Sequence, residues 1–247
     1  MFSINFYRKI NYQLKRKANF KVFVNYFIDR LKHPFTQNQK KRYRNLHKEY
    51  LKNKKTTSGY FSINAYYWKV IINKYFKEFS YLEIGSWEGD SALFVLKNFS
   101  TKEVICVDVW DSDNNKIPTA ENRMFGKENN EKNFKNFIFN LEEFKDQFTY
   151  FKERSDNFFE KNKKTFDIIY IDGAHDALQV NKDIRNAWDV LNLNGIMICD
   201  DYFFGLYSDL GDDVPATPIN KFLIEKKNRL KILCVNNNQI FFKKILD

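Results

Sequence analysis

Cysteine is scarce in this sequence: Cys106, Cys199 and Cys234 are the only three in 247 residues, and no CxxC spacing joins them. Neither a zinc ribbon nor a disulfide framework is suggested. Each cysteine lies in an apolar run that reads as a strand, so all three are expected as reduced core residues in a cytoplasmic compartment. No apolar run approaches the ~18 residues that a membrane-spanning helix needs. The N-terminus carries Arg8, Lys9 and Lys15–Lys17 with no apolar stretch after them, so it does not read as a secretory signal. Glycine is missing until Gly59. Neither G-x-G-x-x-G nor G-x-x-x-x-G-K-[ST] occurs, which leaves pyrophosphates and nucleoside triphosphates without their usual backbone cradle.

Acids are scarce in one place only. Residues 1–55 hold 16 Lys/Arg against Asp29 and Glu49, a balance of +14, whereas the rest of the chain carries 25 bases and 29 acids. The net charge of +10 therefore belongs to an N-terminal arm, of a kind that attracts phosphates, anionic lipid or acidic polymers. Residues 1–58 read as a basic, aromatic-rich helical extension and residues 59–247 as the main domain. Within the arm, Phe20, Val22, Val24, Phe27, Ile28 and Leu31 outline an imperfect amphipathic helix that Pro34 is expected to end. A second polar helix is expected over 38–54, and the run at 52–59, KNKKTTSG, reads as a linker. The arm suits a homo-oligomer contact, an anionic surface or a solvated tail.

From residue 60 the pattern changes to short apolar runs alternating with amphipathic helices. Strands are expected at 80–84, 103–109, 147–152, 166–171, 195–199, 230–235 and 239–244. Helices are expected at 65–79, 90–98, 129–145, 156–163, 177–191 and 217–228. Near-continuous apolar strands separated by helices call for a parallel sheet covered on both faces. The last two strands are joined only through Asn236–Asn238, which permits an antiparallel hairpin and nothing longer. The fold class is thus α/β: a doubly wound, mostly parallel seven-stranded sheet with a terminal antiparallel hairpin.

The segment YLEIGSWEGDSALFVL at 81–96 runs strand, turn, helix, with Gly85 and Gly89 spaced G-x-x-x-G. Glycines here let a ligand approach the backbone, and the amides that open the next helix can receive a carboxylate. S-adenosylmethionine offers both a carboxylate and an ammonium; Glu83 suits the ammonium and Ser91 the carboxylate. Asp108 ends the next strand, 19 residues beyond Gly89, where a carboxylate can accept both ribose hydroxyls. Trp110 is expected to stack on the adenine or line its pocket.

The runs FDIIYIDGAH (166–175) and NGIMICDDYF (194–203) place Asp172 at one buried strand end and Asp200 and Asp201 at another. Neighbouring strand ends of a parallel sheet meet at the carboxyl edge, so three carboxylates converge with no basic residue beside them in sequence. Such a cluster repels itself unless a cation neutralises it, and oxygen ligation suits Mg²⁺, Mn²⁺ or Ca²⁺. His175 follows Asp172 by three residues and is placed to take a proton from an acceptor hydroxyl. The bland alternative is that these acids cap helices.

With these motifs in view, residues 60–247 resemble class I S-adenosylmethionine-dependent methyltransferases. Among them the chain is similar to the metal-dependent O-methyltransferases of the catechol type and of the macrolide-sugar and cephalosporin-cluster type. The turn E-I-G-S-x-E-G-x-S, with Glu83, Gly85, Ser86, Gly89 and Ser91, matches the cofactor motif. Asp108 falls on the ribose acid, and Ser155 on a polar position near the adenine. IDGAH followed by CDDY matches the metal motif, as does the later P-x-T-P-I-x-K-F run at 215–222. The resemblance implies Asp172, Asp200 and Asp201 as ligands of a divalent cation, Mg²⁺ first, with Asp172 also near the donor and His175 as the base. It implies transfer to a hydroxyl of a sugar, glycan or small molecule, with loops 111–128 and 203–216 closing over the site. Two rival functions remain open: a nucleic-acid methyltransferase that uses the basic arm, disfavoured by the absence of an N-P-P-Y-type loop and by an acidic body, and a non-catalytic scaffold that kept the fold.

Overall fold

Seven apolar runs become the strands of one mixed sheet in the computed structural model, which describes residues 3–57, 59–110, 127–208, 210–236 and 238–247. In chain order the elements are α1 (Ile4–Lys15), α2 (Phe20–Leu51), α3 (Ala65–Tyr75), β1 (Glu78–Ile84), α4 (Asp90–Asn98), β2 (Ser100–Asp108), α5 (Lys127–Leu141), β3 (Thr149–Lys152), α6 (Ser155–Lys161), β4 (Phe166–Ile171), α7 (Ala177–Asp189), β5 (Leu191–Cys199), α8 (Ala216–Glu225), β6 (Leu230–Val235) and β7 (Ile240–Lys244). The strand order is β3-β2-β1-β4-β5-β7-β6. Two compact units share the chain: Gln37–Asn162, and Met1–Thr36 together with Lys163–Asp247.

The unit of residues 37–162 contains β1, β2 and β3, paired in parallel. Ile84 stands opposite Val107, and the Gly85 N–H donates to the Val107 carbonyl at 2.8 Å. The turn after β1 is thereby held beside Asp108. Tyr81, Leu82, Ile105 and Cys106 are buried together with Leu93, Phe94 and Phe137, which accounts for strands that read as continuous apolar runs.

The second unit holds β4 and β5 in parallel, then β7 and β6 antiparallel to complete the hairpin that the short Asn-rich connection required. Ile171 pairs with Cys199, so Asp172 and Asp200 leave the sheet side by side at its carboxyl edge, and the Asp200 N–H still donates to the Ile171 carbonyl at 2.9 Å. Cys106 and Cys199 are buried, and none of the three cysteines is in a disulfide.

The arm departs from expectation. Pro34 does not end a helix: α2 continues through it to Leu51, merging two expected helices into one of 32 residues. Proline removes one backbone donor from the helical ladder. Pro34 is exposed, and two residues on the Thr36 hydroxyl donates to the Lys32 carbonyl at 3.1 Å. The stretch 52–57, linker-like in composition, is tied down: the Lys55 N–H donates to Asn140 Oδ1 at 2.7 Å and the Thr57 hydroxyl to Glu88 at 2.8 Å. Among the described residues no helix is long and apolar enough to cross a membrane.

Candidate active site

The donor-type residues lie in the unit of residues 37–162. Gly85 and Gly89 have φ of +89° and +79°, the left-handed region where glycine carries no steric penalty. A Cβ on Gly89 would come within 3.0 Å of the Phe137 ring and 3.3 Å of Leu141. Glu83 is fully buried, and desolvation pushes its carboxyl up to about 8, opposed by hydrogen bonds that include the Ser91 hydroxyl. Ser91, expected beside a donor carboxylate, directs its hydroxyl to Glu83 Oε1. The Cys106 thiol lies 3.8 Å from Glu83 Oε2. Ser86 is buried in the turn, and Ser155 opens α6.

Asp108 receives the Trp87 N–H at 2.8 Å on Oδ2 and the Trp110 N–H at 3.1 Å on Oδ1. Burial raises its carboxyl above the ordinary value, against the pull of these amides. The Trp110 indole is 2% exposed, packed 4.5 Å from the Phe137 ring, and its N–H donates to the Trp87 carbonyl at 2.6 Å. Trp87 and Trp110 both have positive φ, +44° and +34°, so two bulky residues hold strained backbone around one carboxylate.

Sequence reasoning passed over three residues here. Trp87 is one. Glu88, 2% exposed, accepts from the Thr57 N–H and hydroxyl and from Asn136 at 2.7 Å, pinning the glycine turn from below. His47, with no exposed surface, sets Nε2 at 2.9 Å from Asp90 at the start of α4 and Nδ1 at 3.0 Å from the Ser62 hydroxyl. Its place in the motif E-I-G-S-x-E-G-x-S was the available signal for Glu88; nothing local announces His47.

The acid–histidine group belongs to the other unit. Asp172, His175 and Asp201 bring one ligand atom each to within 4.8 Å of one another. His175 Nε2 is 2.5 Å from Asp201 Oδ2. Asp201 has φ +51°, a left-handed backbone in a residue that carries a Cβ, at a place where its side chain meets the imidazole. Asp200 takes a different position: its oxygens accept from Gln239 at 2.6 Å, from Asn238 and from the Asp201 N–H at 2.7 Å, and Oδ2 faces the Tyr170 hydroxyl. The Tyr170 hydroxyl is also 2.7 Å from Asp172 Oδ2. It carries one proton for two carboxylates, so one of them must go without it. Burial, then Asp200 and Asp201, hold Asp172 well above the usual carboxylate range; burial and Asp201 raise Asp200 to about 7.

Helix capping does not account for Asp172. The cap of α7 is Asp176, whose side chain accepts the Gln179 N–H at 2.8 Å. Beside Asp172, His175, Asp200 and Asp201 lies a cavity of about 10 Å³, room for one water-sized species. Carboxylates around such a space are oxygen donors that fit a hard divalent cation, with the imidazole beside them.

The 202–212 segment shapes the other side of this group. Phe204 stacks on the His175 ring at 4.7 Å and an interplanar angle of 21°. Helix α1 grips the same segment: the Tyr12 hydroxyl donates to the Phe204 carbonyl, and Gln13 Nε2 to the Tyr202 carbonyl at 3.0 Å. Residues 111–126 of the other expected closing loop lie outside the described residues.

Residues 82–202 match the family described as a methyltransferase domain, and this span contains both the glycine turn and the acid–histidine group. Over those residues, just under half of the chain, the sequence is similar to a methyltransferase domain. Solved structures share the methyltransferase fold. An O-methyltransferase from Bacillus cereus in complex with SAH is 14% identical, with 92% of this chain and 100% of that one covered and a TM-score of 0.50. The O-methyltransferase TomG from Streptomyces achromogenes, involved in tomaymycin synthesis and in complex with SAM, is 11% identical, covering 84% and 89% at 0.52. An rRNA methylase from Streptococcus thermophilus is 10% identical, covering 73% and 95% at 0.51. At such identities the likeness is one of fold. No curated protein matches the sequence. Methyl transfer is the activity for which the matched family is named.

Proposed function

We propose that this methyltransferase transfers the methyl group to a hydroxyl oxygen of a sugar, glycan or small molecule, with a divalent cation, Mg²⁺ first, at the acid–histidine group. The reading rests on one observation: Asp172, His175 and Asp201 converge within 4.8 Å. When bound, the cation lowers the pKa of a hydroxyl that it contacts. Asp172 and Asp201 would hold it. Asp200, fixed by Gln239 and Asn238, supports them from beside Tyr170. His175 takes the hydroxyl proton, with Asp201 orienting its ring as carboxylates commonly orient imidazoles.

On the donor side, Gly85, Ser86 and Gly89 let the cofactor approach the backbone, and Glu83 faces its ammonium. Asp108 accepts the ribose hydroxyls with the lone pairs that the Trp87 and Trp110 amides leave free. Ser155 and Trp110 bound the adenine. The sulfonium is already a good leaving group, so the protein's task is alignment and proton removal.

A screen of nucleotide sugars, glycans and phenols with labelled S-adenosylmethionine, with and without EDTA, tests this. Methyl transfer to an oxygen that EDTA abolishes and Mg²⁺ restores is expected; transfer indifferent to chelation removes the cation from the scheme. The +14 arm favours a second reading, methylation of nucleic acid, which predicts transfer to RNA or DNA and none to the small acceptors.

A further inference from the structure

The first half of α2 has two unlike faces, both within the unit that contains residues 1–36. Val22, Tyr26 and Asp29 are buried. On the opposite side Phe20, Val24, Phe27, Ile28, Leu31 and Phe35 recur at helical spacing and all stand in solvent, Phe20 at 76% exposure, Leu31 at 52% and Phe35 at 88%. The stripe runs about four turns, ~22 Å at 1.5 Å per residue. Lys21 and Lys32 are exposed along one border. Helix α1, whose Phe6 ring is 6.5 Å from that of Phe27, adds exposed Ile4, Tyr7, Arg8 and Lys15.

The exposed charge carried by these two helices has one sign; Asp212 of another segment meets Arg16 at 4.0 Å. Asp29 is the only acid in residues 1–48, and it is buried against Arg30. Every exposed charged side chain among the described residues of 3–36 is therefore a lysine or arginine.

We infer that this face docks the enzyme peripherally on an anionic lipid bilayer. An apolar helix face bordered by bases, lying in the interface and not spanning it, is the arrangement that anionic membranes bind. A second copy of the chain fits less well: a two-fold pairing of the stripe with itself brings Lys21 and Lys32 against each other's like charges with no acid to answer them. Nucleic acid answers the charge but leaves six apolar side chains in water.

Co-sedimentation of the full-length protein with vesicles tests the inference. Vesicles of phosphatidylcholine with one quarter phosphatidylglycerol should bind the protein at least tenfold more tightly than pure phosphatidylcholine, and high salt should weaken the binding. The exposed-face variant Leu31→Ser/Phe35→Ser should bind more than tenfold more weakly with an unchanged melting temperature. Lys21→Gln/Lys32→Gln should lose on the order of fivefold per lysine. Equal or absent binding to the two vesicle types overturns the inference. So does a wild-type dimer that Leu31→Ser/Phe35→Ser makes monomeric, or RNA binding that survives that variant while vesicles are ignored.

Discussion

The phenyl ring of Phe204 lies on the imidazole of His175, 4.7 Å between centroids, and the carbonyl of Phe204 is held by the hydroxyl of Tyr12. A residue of the first helix, 192 positions away in sequence, thus fixes the backbone of the residue that fixes the histidine. The arm is part of the wall of the acid–histidine group.

The Phe204→Ala variant should slow methyl transfer by about two- to tenfold, the worth of one well-placed aromatic pair. Binding of S-adenosylmethionine, read by calorimetry, should not change. A loss of both together would make the stacking a matter of folding alone.

Gln13 is 2% exposed and spans the Tyr202 carbonyl and the Asn220 side chain, donating to one at 3.0 Å and accepting from the other at 2.7 Å. In Gln13→Ala those buried partners lose their bonds. Urea unfolding should report a loss of about 1–3 kcal/mol. An unchanged unfolding midpoint would mean that α1 does not hold the 202–212 segment.

These contacts also mark where the sequence stops being legible. The strands, the glycine turn and the acids at strand ends are visible because each depends on local periodicity and on where a parallel sheet presents its carboxyl edge. Asp200 illustrates the limit. Its place at the end of β5 follows from sequence, but its partners Asn238 and Gln239 come from the hairpin turn and depend on the antiparallel register of β5 with β7. His47 against Asp90 and Tyr12 against Phe204 are long-range pairings with no local pattern. Pro34 misleads for another reason: its cost falls on one solvent-facing turn, which the rest of a 32-residue helix can absorb.

Gly89→Ala should weaken S-adenosylmethionine binding and destabilise the fold. The left-handed φ of +79° alone costs a residue with a Cβ about 1–2 kcal/mol, and the new atom would press on Phe137 at 3.0 Å. Thermal melting and donor titration measure the two effects; a variant with wild-type values in both would remove the turn from the donor site.

Glu83 gives a pH signature. Its folded value of about 8 lies above the ordinary 4.5, so the folded chain keeps a proton that the unfolded chain releases. The contribution of Glu83 to stability without the donor should therefore be fully present below pH 4.5, decline as pH rises to about 8 and level off beyond it. Urea unfolding across this range should show the decline in the wild type and a shallower one in Glu83→Gln. Identical slopes would contradict the buried, proton-holding carboxyl.

The most direct test of the central claim is Mn²⁺ binding followed by electron paramagnetic resonance, with S-adenosylmethionine present. One tightly bound Mn²⁺ per chain is expected in the wild type, lost in Asp172→Asn/Asp201→Asn and competed away by Mg²⁺. A wild-type protein that leaves all Mn²⁺ free in solution, or a double variant that binds it as well as the wild type, would contradict a cation-assisted methyltransferase.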